Sequence, residues 1–205
     1  MFITFEGLDF SGKSTQIKLL QDYYNARNRK VIVIREPGGT LISEKIRDIL
    51  LDKKNLAMVS DAEMLLFAAS RAQLVNEIII PELQKNTVVI SDRFHDSSIA
   101  YQGYGRGISL EFVKALQTYV IRDAVPAITF FIDIPVSEVK RRKGLISASK
   151  IDRIESSDEN FYNAVRHGYL ELAGTAERFN VIDGLQPIET VHKEICRILE
   201  SKSSL

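Results

Sequence analysis

The chain has 205 residues, 45% hydrophobic and 26% charged, with 27 basic side chains against 27 acidic ones. That is the size of one α/β domain and the composition of an ordinary globular chain, so disordered and fibrous classes are excluded. With no net charge, no long-range field draws the chain to nucleic acid or a membrane, and any anion site must come from local clustering and backbone dipoles.

Phe2–Phe5, running on to Glu6, is short and β-branched or aromatic, and reads as the first strand. With a strand starting at Phe2 no charged leader is expected, and no apolar run reaches the ~18 residues of a membrane span. The longest run, Ala124 to Ile134, is broken by Pro126. A cytoplasmic chain is expected. Next comes Gly7-Leu8-Asp9-Phe10-Ser11-Gly12-Lys13-Ser14-Thr15, which fits G-x-x-x-x-G-K-[ST]. Gly7 and Gly12 let the backbone curl so that its N–H groups converge on phosphate oxygens. Lys13 reaches the outer phosphates and the Ser14 hydroxyl can ligate Mg²⁺. From Thr15 onward Ile17, Leu19, Leu20, Tyr23 and Tyr24 mark an amphipathic helix whose positive end faces the same anion.

Val31–Ile34 reads as the second strand, with Arg35-Glu36-Pro37-Gly38-Gly39-Thr40 at the carboxyl edge where open α/β sheets bind ligands. Ser60 and Glu63 have capping-box spacing, opening a helix on which Phe67 and Arg71 share a face. A flat ring beside a guanidinium suits stacking a base and bonding its edge. Val88–Ile90 is the third strand, followed by the block Ser91 to Gly103. If that block is helical, Ser98, Tyr101 and Gln102 lie on one face. Ser109 is an expected N-cap, and Ile128–Ile132 the fourth strand.

From Arg141 to Ser157 there is no apolar period. That stretch, about 141–157, reads as a basic closing lid carrying Arg141, Arg142, Lys143, Lys150 and Arg153, with Lys140 just before it. Ser157 is an expected N-cap, Val181–Ile182 the fifth strand, and Pro187 suits a first helical turn. The single cysteine, Cys196, allows no internal disulfide and reads as a small core residue. His167 and His192 lack metal-ligand spacing. Strand alternating with helix gives a parallel sheet with right-handed crossovers, in one domain spanning residues 1–205. The phosphate loop alone does not choose among GTPases, motor ATPases and small-molecule kinases. The Asn-Lys-x-Asp element of guanine-reading proteins is missing, no Asp-x-x-Gly switch stands outside the phosphate loop itself, and a compact kinase remains.

The motifs EGLDFSGKST, REPGGT, LLFAASRAQ, SDRFHDSSIAYQG, DRIE and FYNAVRHGYLELA together resemble thymidylate kinase over nearly the whole chain. The resemblance implies phosphorylation of dTMP by MgATP, a P-loop NTPase-type three-layer fold with a five-stranded parallel sheet, and a homodimer. It implies that Phe67 stacks on thymine, that Arg71 bonds its edge, and that Ser98 and Gln102 help read the base. Tyr101 would crowd the 2′ position of the sugar. Arg93 and Arg35 would hold the acceptor phosphate, with Glu36, Pro37 and Ser97 completing that site. Gly7 through Thr15 would hold ATP, and Ser14 and Asp92 would lie beside Mg²⁺. Asp9, Lys13 and Arg93, with the lid cations Arg142 and Arg153, form the expected catalytic set.

A phosphate acceptor with a second pKa near ~6 is already largely dianionic and needs no general base, so His95 is assigned none. Phe10-Ser11 stands where many relatives have Gly-Ala, and the P-loop carries no arginine, which points to the lid for the catalytic cation. Ser70 replaces an acidic residue common before the thymine-binding arginine, so weaker support for Arg71 is expected. Two rivals stand beside this reading. One is a P-loop kinase for a nucleoside or another monophosphate; the other is a nucleotide sensor without turnover, which would be expected to have lost Lys13, Asp9 or a lid cation.

Overall fold

A computed structural model describes residues 1–145 and 152–202. The strands β1 (Phe2–Glu6), β2 (Val31–Arg35), β3 (Val88–Asp92), β4 (Ile128–Asp133) and β5 (Phe179–Asp183) form one sheet in the order β2-β3-β1-β4-β5. All neighbours are parallel, with Ile3 opposite Ile90 on one side of β1 and opposite Ile128 on the other. The central strands are buried on both faces, which is why they are apolar at nearly every position. Arg35, Asp92, Asp133 and Asp183 end their strands, one or two residues beyond the apolar runs. The ladder continues through them because backbone pairing does not depend on side-chain polarity, and it delivers charge to the carboxyl edge.

Two helices, α1 (Lys13–Asn25) and α9 (Ile188–Lys202), cover one face. Ile17, Leu20 and Tyr24 meet Val191, Ile195 and Leu199 there over Ile3, Phe5, Phe130 and Ile182. Full burial of a side chain such as Phe5 contributes roughly 1.5–3 kcal/mol. The other face carries α3 (Ser60–Leu74), α6 (Leu110–Ile121) and α8 (Glu159–Thr175), packed on Phe131 and Phe179 near β5 and on Phe2, Ile34 and Val89 nearer β2. The helix α2 (Leu41–Leu51) packs on α3, while α5 (His95–Ser98) and α7 (Val136–Lys143) follow β3 and β4 in the chain.

A π-helical turn, Val75–Ile79, joins α3 to α4 (Ile80–Gln84). The joined helix, Ser60–Gln84, has 25 residues, and its most apolar 18-residue window has mean hydropathy 1.2, enough to cross a membrane by length and composition. Arg71 and Glu77 interrupt it, so it is not an unbroken apolar run of the expected limiting length. Its buried Met64, Arg71, Leu74, Val75 and Ile79 mark it as a core helix of this domain.

Helix ends correct several expectations. Ser109 caps α6 by accepting from the Phe112 N–H at 3.4 Å. Ser60 makes no cap, because Glu63 turns inward to three side chains rather than back to the helix start. Asp158, not Ser157, caps α8, accepting from the Phe161 N–H at 2.9 Å. Pro187 precedes the first residue of α9, its carbonyl accepting from Thr190 and Val191. α1 begins at Lys13, two residues before the expected start, directly after Gly12 in a left-handed conformation. α2 was not foreseen, although Thr40 caps it through the Ser43 N–H at 3.1 Å. Arg141, Arg142 and Lys143 belong to the last turn of α7 rather than to a loop, and Lys150 lies outside the described residues.

Candidate active site

The phosphate loop leaves β1 at the sheet centre. Gly7 has φ 138°, and a Cβ there would sit 2.5 Å from the Ile132 carbonyl oxygen, so only glycine lets the loop pass β4. Gly12, at φ 102°, turns the chain into α1. Phe10 also adopts a left-handed conformation, φ 63°, at a position where glycine would be free of strain. The Lys13 ammonium donates to the carbonyls of Leu8 at 2.8 Å and Gly7 at 3.2 Å. Burial, with Arg93 nearby, pushes its pKa down to about 8. Ser14 Oγ donates to Asp92 Oδ2 at 3.2 Å, so the expected metal pair is assembled from α1 and β3. Thr15 follows in the first turn of α1.

Beside the cradle lies an open cleft. The structure brings all the expected acceptor residues to its wall: Asp9 from the loop; Arg35, Glu36 and Pro37 after β2; and Phe67 and Arg71 from α3. Arg93, Ser97, Ser98, Tyr101 and Gln102 supply the rest. The last two stand on a π-helical turn, Ile99–Gly105, whose wider winding still aims them into the cleft with Ser98.

Arg71 is fully buried. Its Nε donates to Glu36 Oε2 at 2.6 Å, Nη1 donates to Ser98 Oγ at 2.9 Å and to Gln117, and Nη2 donates to the Phe94 carbonyl at 3.2 Å. The weaker support anticipated from Ser70 is therefore not found: Glu36 supplies the carboxylate, while Ser70 Oγ accepts from the Gly38 N–H. Burial raises the Glu36 pKa, with Arg71 opposing.

Arg93 sits between cradle and cleft. Its Nη1 donates to the Gly7 carbonyl at 2.8 Å, to Ser97 at 3.3 Å and to Tyr169 at 3.2 Å; Nη2 donates to Asp9 at 2.6 Å and Tyr101 at 3.1 Å. Its backbone is left-handed, φ 68°, held by its own N–H on the Phe5 carbonyl and by Ser91 Oγ on its carbonyl. Burial opposes the charge of Asp9, but Arg93 and Lys13 outweigh it and hold the carboxyl below its usual range. Beneath them Glu6 accepts from Phe94 N–H, Ser97 and Tyr169. Burial, then repulsion from Asp96, pushes its pKa up to about 7. His95 is buried against Asp96 and Arg178, and burial drives it down to about 4, so it is neutral at pH 7.

Arg142 reaches the donor side, donating to the Phe10 carbonyl at 3.0 Å and the Gly184 carbonyl at 3.1 Å while pairing with Glu138. Arg153, the other expected catalytic cation, does not reach the cradle. Its Nη2 lies 2.7 Å from Glu63 and its Nε donates to the Leu50 carbonyl, because a buried carboxylate is the nearest partner. Arg35 lines the cleft but pairs with Glu44 at 3.0 Å.

Several wall residues escaped the sequence. Arg47, on α2, donates to the Pro37 carbonyl at 2.7 Å beside Arg35. Asp152, Ile154 and Glu155 line the cleft, and Tyr162 donates to Asp9 at 3.2 Å. The DRIE and FYNAVRHGYLELA motifs flagged these last segments but assigned chemistry there to Arg153 alone.

A family model described as thymidylate kinase matches residues 5–195. A thymidylate kinase of Caldanaerobacter subterraneus subsp. tengcongensis is 48% identical over 201 residues, 97% of this chain and 94% of that one. One from Thermosipho melanesiensis is also 48% identical, covering 98% of each. The crystal structure of thymidylate kinase from Ehrlichia chaffeensis superposes with a TM-score of 0.79 at 39% identity, covering 98% of both chains.

Proposed function

The chain belongs to the thymidylate kinase family and phosphorylates dTMP to dTDP with ATP, toward dTTP, and from that premise we propose how its residues divide the task. The acceptor lies in the cleft. Phe67 stacks on thymine, Arg71, Ser98 and Gln102 read its edge, and Tyr101 fills the space a 2′-hydroxyl would need. Arg93, Arg35 and Arg47 hold the 5′-phosphate, with Glu36, Pro37 and Ser97 shaping that end.

The donor lies along Gly7 to Thr15. Lys13 leaves the loop carbonyls for the outer phosphates, while Arg142 closes the side next to Phe10. Among the described residues no group of three or more His, Cys, Asp or Glu side chains forms a cage for a metal. Ser14 and Asp92 are adjacent hard oxygen donors, which fits Mg²⁺ held mainly by substrate phosphates. Bound there, Mg²⁺ neutralises charge on the donor phosphates.

A phosphate oxygen of dTMP attacks the γ-phosphorus in line; the new P–O bond forms as the bond to the β–γ bridging oxygen breaks, and ADP leaves. Asp9, fixed by Arg93, Tyr101 and Tyr162, orients the acceptor phosphate beside the loop. The observation that carries this reading is Arg93, whose guanidinium touches both the Gly7 carbonyl and the cleft residues Ser97 and Tyr101.

Exposed Leu65, Phe112 and Tyr119 on the adjacent helices α3 and α6 support a homodimer formed through that face. The nucleotide substrates and the free Cys196 fit a cytoplasmic chain.

The test is ADP release from MgATP with dTMP, dUMP, ribothymidine 5′-phosphate, dCMP, AMP and thymidine as separate acceptors. Turnover falling in the order dTMP, dUMP, ribothymidine 5′-phosphate, with none on thymidine, is the expected result. Turnover of thymidine would remove Arg93 and its neighbours from the acceptor phosphate, and indifference to the 2′-hydroxyl would remove Tyr101 from the sugar.

A further inference from the structure

Glu63 has no place in the reaction as described, yet it is a buried carboxylate on which three side chains from two other parts of the chain converge. Its side chain is 2% exposed. Gln102 Nε2 donates to Oε1 at 3.0 Å, Arg106 donates to both oxygens at 3.1 and 3.2 Å, and Arg153 Nη2 lies 2.7 Å from Oε2. Burial opposes the charge, but the hydrogen bonds of Arg106 and Gln102, joined by Arg153, outweigh it and hold the carboxyl below its usual range.

An ionised carboxylate offers only acceptors, so the Gln102 amide must present its NH₂ to Glu63. The planar amide then turns its carbonyl, Oε1, away from Glu63, and Gln102 lines the acceptor cleft. Thymine carries an N3–H between two carbonyls, whereas cytosine has a bare lone pair at N3. A fixed carbonyl acceptor welcomes the first and repels the second. The same carboxylate ties down Arg153, whose neighbours Asp152, Ile154 and Glu155 form the facing wall of the cleft.

We propose that Glu63 is a positioning residue for pyrimidine recognition: it locks the Gln102 amide with its carbonyl offered to the base and holds the Asp152–Glu155 wall in register with it. The inference rests on reading Gln102 as base-facing, and it assigns to a residue outside the reaction part of the discrimination between thymine and cytosine.

Glu63→Gln keeps the shape of the side chain, yet it can donate as well as accept, so the Gln102 amide is no longer held one way. The experiment measures kcat/KM with dTMP and dCMP for the native protein, Glu63→Gln, Gln102→Ala and the double variant, with a thermal melt of each. Glu63→Gln is expected to lower the dTMP-to-dCMP ratio about tenfold, with kcat on dTMP and KM for ATP within about twofold. In the Gln102→Ala background the same change is expected to do nothing further to the ratio. If Gln102→Ala lowers the ratio and Glu63→Gln does not, the locking role is overturned while the base reading of Gln102 stands. If neither moves the ratio, the base reading falls and the inference with it. Should Glu63→Gln fail to fold, Glu63→Asp, which keeps the charge but withdraws it from Gln102, carries the test; an unchanged ratio there overturns the proposal.

Discussion

In the cradle, consecutive residues from Gly7 to Thr15 make the site, and its shape is mostly backbone. In the cleft, Phe67, Arg71, Arg93, Tyr101 and Glu155 arrive from separate stretches, and the shape is fixed by hydrogen bonds between buried side chains. The rest of the molecule meets the cradle at a few points, through the close passage of Gly7 under β4 and single side chains such as Arg93 on the Gly7 carbonyl and Arg142 on the Phe10 carbonyl. The cleft asks for partners, because each desolvated charge in it destabilises the fold unless paired. Damage to the cradle is therefore expected to be catalytic and local, whereas damage to the cleft shows in binding and in folding together.

The largest effect that tests this contrast is Lys13→Ala. It is expected to lower kcat about a thousandfold while dTMP affinity, measured by calorimetry, stays within about twofold and the melting temperature does not fall. Loss of dTMP affinity in step with kcat would show that the two regions are not separable.

Arg71→Ala comes next. A dTMP KM raised about tenfold or more is expected, with roughly 3 kcal/mol of stability lost as Glu36 is left buried without its cation. Adding Glu36→Gln is expected to recover stability but not KM. An unchanged KM in Arg71→Ala would take the arginine out of the pocket.

The smallest effect concerns Glu6, which lies under both regions. Its pKa is raised from 4.5 to about 7 by burial first and Asp96 second, so the protonated form is the one the fold favours. The stability it contributes is full below pH 4.5 and lost as pH rises through about 7. Glu6→Gln is expected to flatten the fall in melting temperature between about pH 5 and about pH 8 by a few degrees. An unaltered slope would assign that fall to other groups.

The contrast also explains what could be read from the sequence. A contiguous loop advertises itself, since Gly7, Gly12 and Lys13 have fixed spacing and a strand and helix on either side. Strand order was not readable from spacing, although parallel pairing was, through apolar runs buried on both faces. Arg47 was invisible because its place depends on where the Pro37 carbonyl lies, which no helix pattern encodes. Glu63 was misread as a capping partner: its distance from Ser60 is right, but Arg106, Gln102 and Arg153 are stronger partners than a backbone N–H at the helix start. Arg153 was misplaced for the same reason, since a basic residue in a lid-like stretch gives no hint of a buried carboxylate across the cleft.

Tyr169 reaches Glu6 from 163 positions away, and Tyr162 reaches Asp9 from 153. A chain emerging from the ribosome thus exposes its phosphate loop long before α8 exists to supply these hydroxyls. Until that helix is made, Glu6 and Asp9 lack these tyrosine partners, and the half-made enzyme has no closed place for dTMP. Bound dTMP consequently favours the finished molecule, adding about 2.7 kcal/mol at a hundredfold excess over Kd. The pool of precursors for DNA would in this way help to preserve the enzyme that maintains it.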